Sequence, residues 1–121
     1  MKKILVTEDS SAIRGLIVST LEAMDCFDIV EAGNGFEALR ALPREMVDLV
    51  ITDINMPDIN GLELVSFCRE NPLYEETPLI IISTERGERD REKGLALGAD
   101  AYLVKPFQPE ELQQLVLRLL N

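Results

Sequence analysis

The sequence predicts an α/β fold, a doubly wound, five-stranded parallel sheet with helices on both faces. Three observations carry it. Five short apolar runs alternate with stretches of helical spacing along the whole chain. Three of those runs, "ILVT", "LVIT" and "LIIIS", are apolar at nearly every position, as strands covered on both faces are. The 121 residues contain no repeat, no low-complexity tract and no Pro/Gly/Ser linker, so residues 1–121 read as one domain large enough to bury a core.

The elements follow in order. Strand β1 is predicted over 4–7. Helix α1 spans 11–24, with Ile13, Leu16, Ile17, Leu21 and Met24 at helical spacing and Ser10 or Ser11 as its N-cap. Strand β2 covers "DIVEA" (28–32), and α2 covers 35–42, ending at Pro43. Strand β3 is 49–52, and α3 is 61–71, ending before Pro72. Strand β4 is 79–83. Helix α4, 88–98, is weak: it holds few apolar residues and has Gly94 inside. Strand β5 is 101–104. Helix α5, 109–120, sets Leu112, Leu115, Val116 and Leu119 on one stripe, with Pro109 at its first position. The charge run 85–93 reads as a solvated face, and with Gly87 and Gly94 it makes 84–98 the segment expected to exchange its amides faster than 11–24.

Composition narrows the function classes. The formal charge of −10 argues against nucleic-acid binding, which depends on Lys and Arg. No apolar run approaches the roughly 20 residues of a membrane span, and "MKKILVTEDS" is too short in apolar residues for a secretory signal, so a cytoplasmic location is the expectation. The chain has no histidine, which excludes His-based acid–base catalysis and argues against a zinc site of the usual kinds. Cys26 and Cys68 lack CxxC spacing and read as reduced packing residues.

Domain-size folds of this alternation have either the Rossmann or the flavodoxin-like strand order, and in both, ligands bind beyond the carboxyl ends of the strands. Glu8 and Asp9 follow β1, Asp53 follows β3, Ser83 and Thr84 end β4, and Lys105 follows β5. In the flavodoxin-like order 2-1-3-4-5, β1 and β3 flank the switch point, and Glu8, Asp9 and Asp53 converge in one crevice. Crowded carboxylates repel unless a cation is present. Oxygen-only donors suit a hard ion, Mg²⁺ above all, and a lysine and hydroxyls beside them suit phosphoryl oxygens. Taken singly, each residue has an ordinary role: Glu8 and Asp9 as first-turn acids, Asp53 as a turn former, Ser83 and Thr84 as caps, Lys105 as a solvated strand-end lysine, Tyr102 as a sheet residue. Those roles do not account for their coincidence at the ends of four strands.

Four blocks, "TEDS", "DINMPDINGLEL", "IIIST" and "AYLVKPF", resemble in content and spacing the receiver domains of bacterial two-component response regulators, most closely the single-domain, CheY-like members. The resemblance spans essentially the whole chain. It implies the flavodoxin-like (βα)5 order 2-1-3-4-5 and assigns roles. Asp53 matches the phosphoacceptor, Asp9 the direct metal ligand, and Glu8 an acid acting through water. The main-chain carbonyl of Asn55 matches the third protein ligand of Mg²⁺, for which Mn²⁺ substitutes. Ser83 matches the switch hydroxyl, Lys105 the lysine pairing with the phosphoryl group, and Tyr102 the aromatic whose rotamer follows phosphorylation. Asn55, Thr84 and Glu85 flank the site as tuning positions. The Lys105–Pro106 bond is either trans or, as in the family, cis.

The chain departs from the family's commonest pattern at two places. Glu8 stands where Asp is also common, which changes reach. Thr84 stands where Ala or Gly is frequent, and its branched side chain is expected to slow access to Asp53, so Thr84→Ala should speed phosphoryl entry or loss. The implied partners are a histidine kinase and a downstream protein that reads the α4-β5-α5 face, in chemotaxis or another motility pathway, with no nucleic acid and no membrane; a monomer is expected. A receiver cut from a larger regulator is the main alternative. A haloacid-dehalogenase-like phosphatase would need a carboxylate where Asn55 stands, and a flavin or dinucleotide binder would need a glycine-rich loop after β1.

Overall fold

The computed structural model describes residues 1–84 and 88–121. Its elements are β1 (Lys2–Thr7), α1 (Ser11–Glu22), β2 (Phe27–Ala32), α2 (Gly35–Glu45), β3 (Leu49–Thr52), α3 (Gly61–Glu70), β4 (Leu79–Ser83), α4 (Glu88–Leu97), β5 (Ala101–Val104) and α5 (Pro109–Leu120). The strands form one parallel sheet in the order β2-β1-β3-β4-β5, the flavodoxin-like arrangement. Parallel neighbours need crossovers, and each crossover here is one helix.

Alternation along each strand divides the core. Ile4, Val6, Leu49, Ile51, Ile80, Ile82, Ala101 and Leu103 face one side, where Ile17 and Leu21 of α1 and Leu112 and Val116 of α5 cover them. Leu5, Val50, Leu79 and Ile81 face the other side, beneath Ala38 and Leu42 of α2 and Leu64, Val65 and Cys68 of α3. Burial on both faces is why β1, β3 and β4 read as unbroken apolar runs.

Helix starts follow capping chemistry. The Ser10 hydroxyl accepts from Ile13 N, which decides between the two candidate caps of α1. Asn60 and Glu63 cap α3 reciprocally. Several predicted bounds shift. Helix α1 ends at Glu22, short of Met24, and α3 and α4 each end one residue early. Helix α2 runs through Pro43 to Glu45. Pro43 lies in the last turn, where its missing N–H removes one bond and Met46 N still closes on Leu42 O. Leu16 is 52% exposed, and Cys26 is exposed too, not a packing residue; Cys68 is buried, and burial pushes its thiol up to about 11.

Candidate functional site

The carboxyl ends of β1, β3 and β5 bring Glu8, Asp53 and Lys105 together, all buried. Lys105 Nζ donates to Glu8 Oε1 at 2.8 Å and lies 3.6 Å from Asp53 Oδ1, an ion pair beyond hydrogen-bond reach. Ile54 N donates to Asp53 Oδ1 at 2.8 Å. No hydrogen bond among the described residues is made to Oδ2. Strand β3 is central, and its end places Asp53 between β1 and β4.

Backbone contacts keep Asp53 in place. Its N donates to Thr7 O across to β1, and Gly61 N donates to Ile54 O from the start of α3. A Cβ on Gly61 would overlap the Asp53 carbonyl oxygen, so only glycine lets α3 approach this closely.

Asp9 is exposed, and carboxylate oxygens of Glu8, Asp9 and Asp53 lie within 4.8 Å of one another. Burial raises the Glu8 carboxyl above its ordinary value; the Lys105 and Ser10 hydrogen bonds oppose this, and the Asp53 charge adds to it. Burial likewise raises Asp53, with the Lys105 charge and the Ile54 N–H opposing and Asp9 adding. One lysine does not offset three clustered acids.

The donors fit a hard divalent cation. Mg²⁺ is commonly bound by one or two carboxylates and keeps several waters, which a cluster of three acids converging within 4.8 Å can accommodate. Glu8 has both oxygens engaged, by Lys105 Nζ and Ser10 N. Asp9 and Asp53 Oδ2 are the carboxylate oxygens left for direct contact.

The remaining candidates surround this centre. Ser83 is fully buried and lies on the same sheet face as Ile81, while Tyr102 of β5 is half-buried on that face beside Ile81. Asn55 is exposed two residues past Asp53. Thr84 is exposed at the mouth of an apolar crevice of about 240 Å³ lined also by Ile13, Leu16, Lys105, Pro106 and Phe107. That crevice explains the exposure of Leu16: its side chain lines the crevice wall and not the core. The Lys105–Pro106 bond is cis. Glu85 lies outside the described residues. Helix α1 has no acid in its first turn, so Glu8 and Asp9 precede the helix and are not its dipole partners.

Two interactions were not legible in the sequence. Glu8 and Lys105 pair although they are 97 residues apart. Arg14 of α1 reaches back to the Glu8 carbonyl. Its position one turn into α1, after an acidic pair, is the only sequence signal for that contact.

A buried acid–lysine–acid cluster beside an exposed acid thus sits at the switch point of a (βα)5 sheet, where ligands of such folds bind. The family follows from comparison. Residues 4–117 match the response regulator receiver domain, and the chain belongs to that family. It is 42% identical over 113 residues to a chemotaxis protein CheY homolog of Campylobacter jejuni, covering 93% of this chain and 87% of that protein. It superposes on the Vibrio cholerae chemotaxis protein CheY4 with a TM-score of 0.91 at 35% identity, covering 98% of each chain. The receiver domain of a Pseudomonas aeruginosa sensor histidine kinase, solved with a magnesium ion in its active-site cleft, gives a TM-score of 0.89 at 26% identity over 98% of this chain and 97% of that one.

Proposed function

We propose that the chain is a phosphorylation-activated switch that takes a phosphoryl group from the phosphohistidine of a histidine kinase onto Asp53. The observation that carries this reading is the convergence of Asp53, Asp9, Glu8 and Lys105 from three strand ends. Asp53 Oδ2 attacks phosphorus in line. The new O–P bond forms as the P–N bond to the donor imidazole breaks, and the imidazole leaves neutral after taking a proton. Asp9, Asp53 and the Asn55 carbonyl, with Glu8 through water, would hold Mg²⁺, whose charge would offset that of the phosphoryl oxygens. Lys105 Nζ, already 3.6 Å from Asp53 Oδ1, turns toward the phosphoryl group. Water later attacks phosphorus and restores the carboxylate.

Ser83 and Tyr102 share one sheet face with α4 packed over it. In this reading the Ser83 hydroxyl moves toward the phosphoryl oxygens, and Tyr102 turns inward. The balance of two arrangements of the α4-β5-α5 face shifts, and a protein partner reads the difference. An open groove of about 740 Å³ lined by Tyr102, Leu103, Leu115 and Leu117 lies on that face. Asn55, Thr84 and Glu85 tune the lifetime of the phosphoryl group. The relatives point to chemotaxis or motility as the setting, with residues 1–121 acting as one monomeric, cytoplasmic receiver domain.

Intact-mass spectrometry after incubation with acetyl phosphate and Mg²⁺ tests the reading. The expected result is a metal-dependent phosphoryl adduct that EDTA abolishes and Asp53→Asn lacks. An unphosphorylated wild type that still binds Mg²⁺ would refute the phosphoacceptor role.

A further inference from the structure

Glu8 is fixed at its backbone and at both carboxylate oxygens. Its N–H donates to Ala32 O at 3.1 Å, its Oε1 accepts from Lys105 and its Oε2 accepts from Ser10 N. Its carbonyl oxygen accepts from Arg14 Nη1 at 2.7 Å. Asp9, the next residue, is exposed, and no side-chain hydrogen bond ties it among the described residues. The Glu8 carbonyl belongs to the peptide plane that leads into Asp9. A planar, stiff peptide held at that oxygen fixes the Asp9 N–Cα bond and leaves rotation about it as the one backbone freedom that aims the Asp9 side chain.

Arg14 is itself braced. Its Nε donates to Glu31 Oε1 of β2 at 3.1 Å, so the planar guanidinium spans α1, β2 and the end of β1. The loop after β2 closes against it: a Cβ on Gly33 would stand 3.6 Å from Nη1. Glu31 offsets the charge of Arg14, so the guanidinium brings little net field to the acidic cluster. What it supplies is position.

We propose that Arg14 is a positioning residue for the cation site, holding the Glu8–Asp9 peptide so that the Asp9 carboxylate meets a small divalent ion. The proposal rests on the reading of Glu8, Asp9 and Asp53 as that site. It has a signature that simple loss of stability lacks. Mg²⁺ demands strict octahedral geometry and Ca²⁺ tolerates irregular shells. A misaimed Asp9 should therefore weaken Mg²⁺ more than Ca²⁺.

The test is calorimetric titration of the full chain with Mg²⁺ alone and with Ca²⁺ alone, well below the melting temperature. Amide chemical shifts of Asp9 and Ile54 report the site directly. For Arg14→Gln the Mg²⁺ dissociation constant should rise about tenfold, and the Ca²⁺ constant about threefold or less. Arg14→Lys, which keeps the charge but reaches one acceptor at a time, should recover part of the Mg²⁺ loss. Glu31→Gln leaves the buried contacts intact and loosens the brace; it should shift the Mg²⁺/Ca²⁺ ratio in the same direction, and it decides the matter if Arg14→Gln does not fold. Equal losses for both ions, or unchanged Mg²⁺ binding in the Arg14 and Glu31 variants, would overturn the positioning role alone. A wild type that binds neither ion would overturn the cation site itself.

Discussion

Helices α1 and α4 follow the strands that supply Glu8 and Ser83, yet they are held very differently. Helix α1 buries Ile17, Val18, Thr20 and Leu21, carries a Ser10 cap, and is tied to β2 through Arg14 and Glu31. Helix α4, among the described residues, fully buries Gly94 alone, with Leu95 half-buried and Leu97 37% exposed. The acidic groups thus rest on a firmly held part of the fold. Ser83 and Tyr102 face a helix with little apolar anchorage. A phosphoacceptor needs fixed geometry, and a readout surface needs two accessible arrangements, so the asymmetry suits both halves of the proposed switch.

The largest expected break in this comparison is Gly61→Ala. The added Cβ would run into the Asp53 carbonyl and Ile54 Cα, which are backbone atoms with no rotamer to relieve the overlap. A loss of about 4 kcal/mol or more, or failure to fold, is expected in a urea titration. A well-folded Gly61→Ala protein with normal phosphorylation would show that the firm side is softer than its packing implies.

Next comes a paired truncation. Leu21→Ala removes a fully buried side chain from the α1–α5 core and should cost about 2–5 kcal/mol, whereas the exposed Leu97→Ala should cost under about 1 kcal/mol. Residues 88–97 should also exchange their amides faster than residues 11–22. Equal costs and equal protection would erase the asymmetry.

How much of this was legible follows from the kind of contact involved. The sheet and its helices were legible because burial on both faces writes itself as unbroken apolar runs, and because Ser10, Pro72 and Pro109 punctuate helices locally. The candidate site was legible as a set of strand ends, since Glu8, Asp53 and Lys105 sit just past β1, β3 and β5. What was not legible depends on geometry that residue order does not encode. The Lys105–Glu8 pair joins residues 97 apart and exists only after the chain closes, and the Arg14–Glu8 contact, though only six residues long, depends on how α1 turns back over the end of β1. Leu16 fits the helical stripe, but the stripe is wider than the core beneath it, so Leu16 lines the crevice by Lys105. Pro43 read as a helix end because the rule ignores how cheaply the last turn gives up one bond.

A smaller effect comes from the charge on the firm side. Burial places the Asp53 carboxyl above its ordinary value of 3.8. A carboxyl so raised favours the folded state when protonated. That contribution is present below 3.8 and is lost as pH rises through the raised folded value. Asp53→Asn should therefore melt at a higher temperature than wild type at pH 7 without metal. The advantage should shrink as pH falls and vanish below 3.8. Saturating Mg²⁺ should narrow it at pH 7 by binding the wild type more tightly. A constant advantage at all pH values would show that the Asp53 charge is not its source.

Gly94→Ala should have the smallest effect on stability and the most informative one. In the sequence Gly94 reads as a weak point of α4, but in the fold it is buried against β4: a Cβ there would stand 2.7 Å from Ile81 Cδ1, 3.7 Å from Leu62 Cδ2 and 3.8 Å from Tyr102 Cδ2. Alanine gains about 1 kcal/mol of helix propensity over glycine. Against that stands the shift of the Ile81 side-chain tip or of α4 itself, a cost of about 1 kcal/mol. The two terms nearly cancel, so the melting temperature should stay within about 3 °C of wild type. The position of α4 over Tyr102 does not cancel. If α4 is the movable side, the Tyr102 ring signals and the gap between phosphorylated and unphosphorylated chemical shifts on β5 should change while Mg²⁺ affinity does not. If Mg²⁺ affinity falls together with them, the two sides of the crevice are mechanically one, and the separation of chemistry from readout fails.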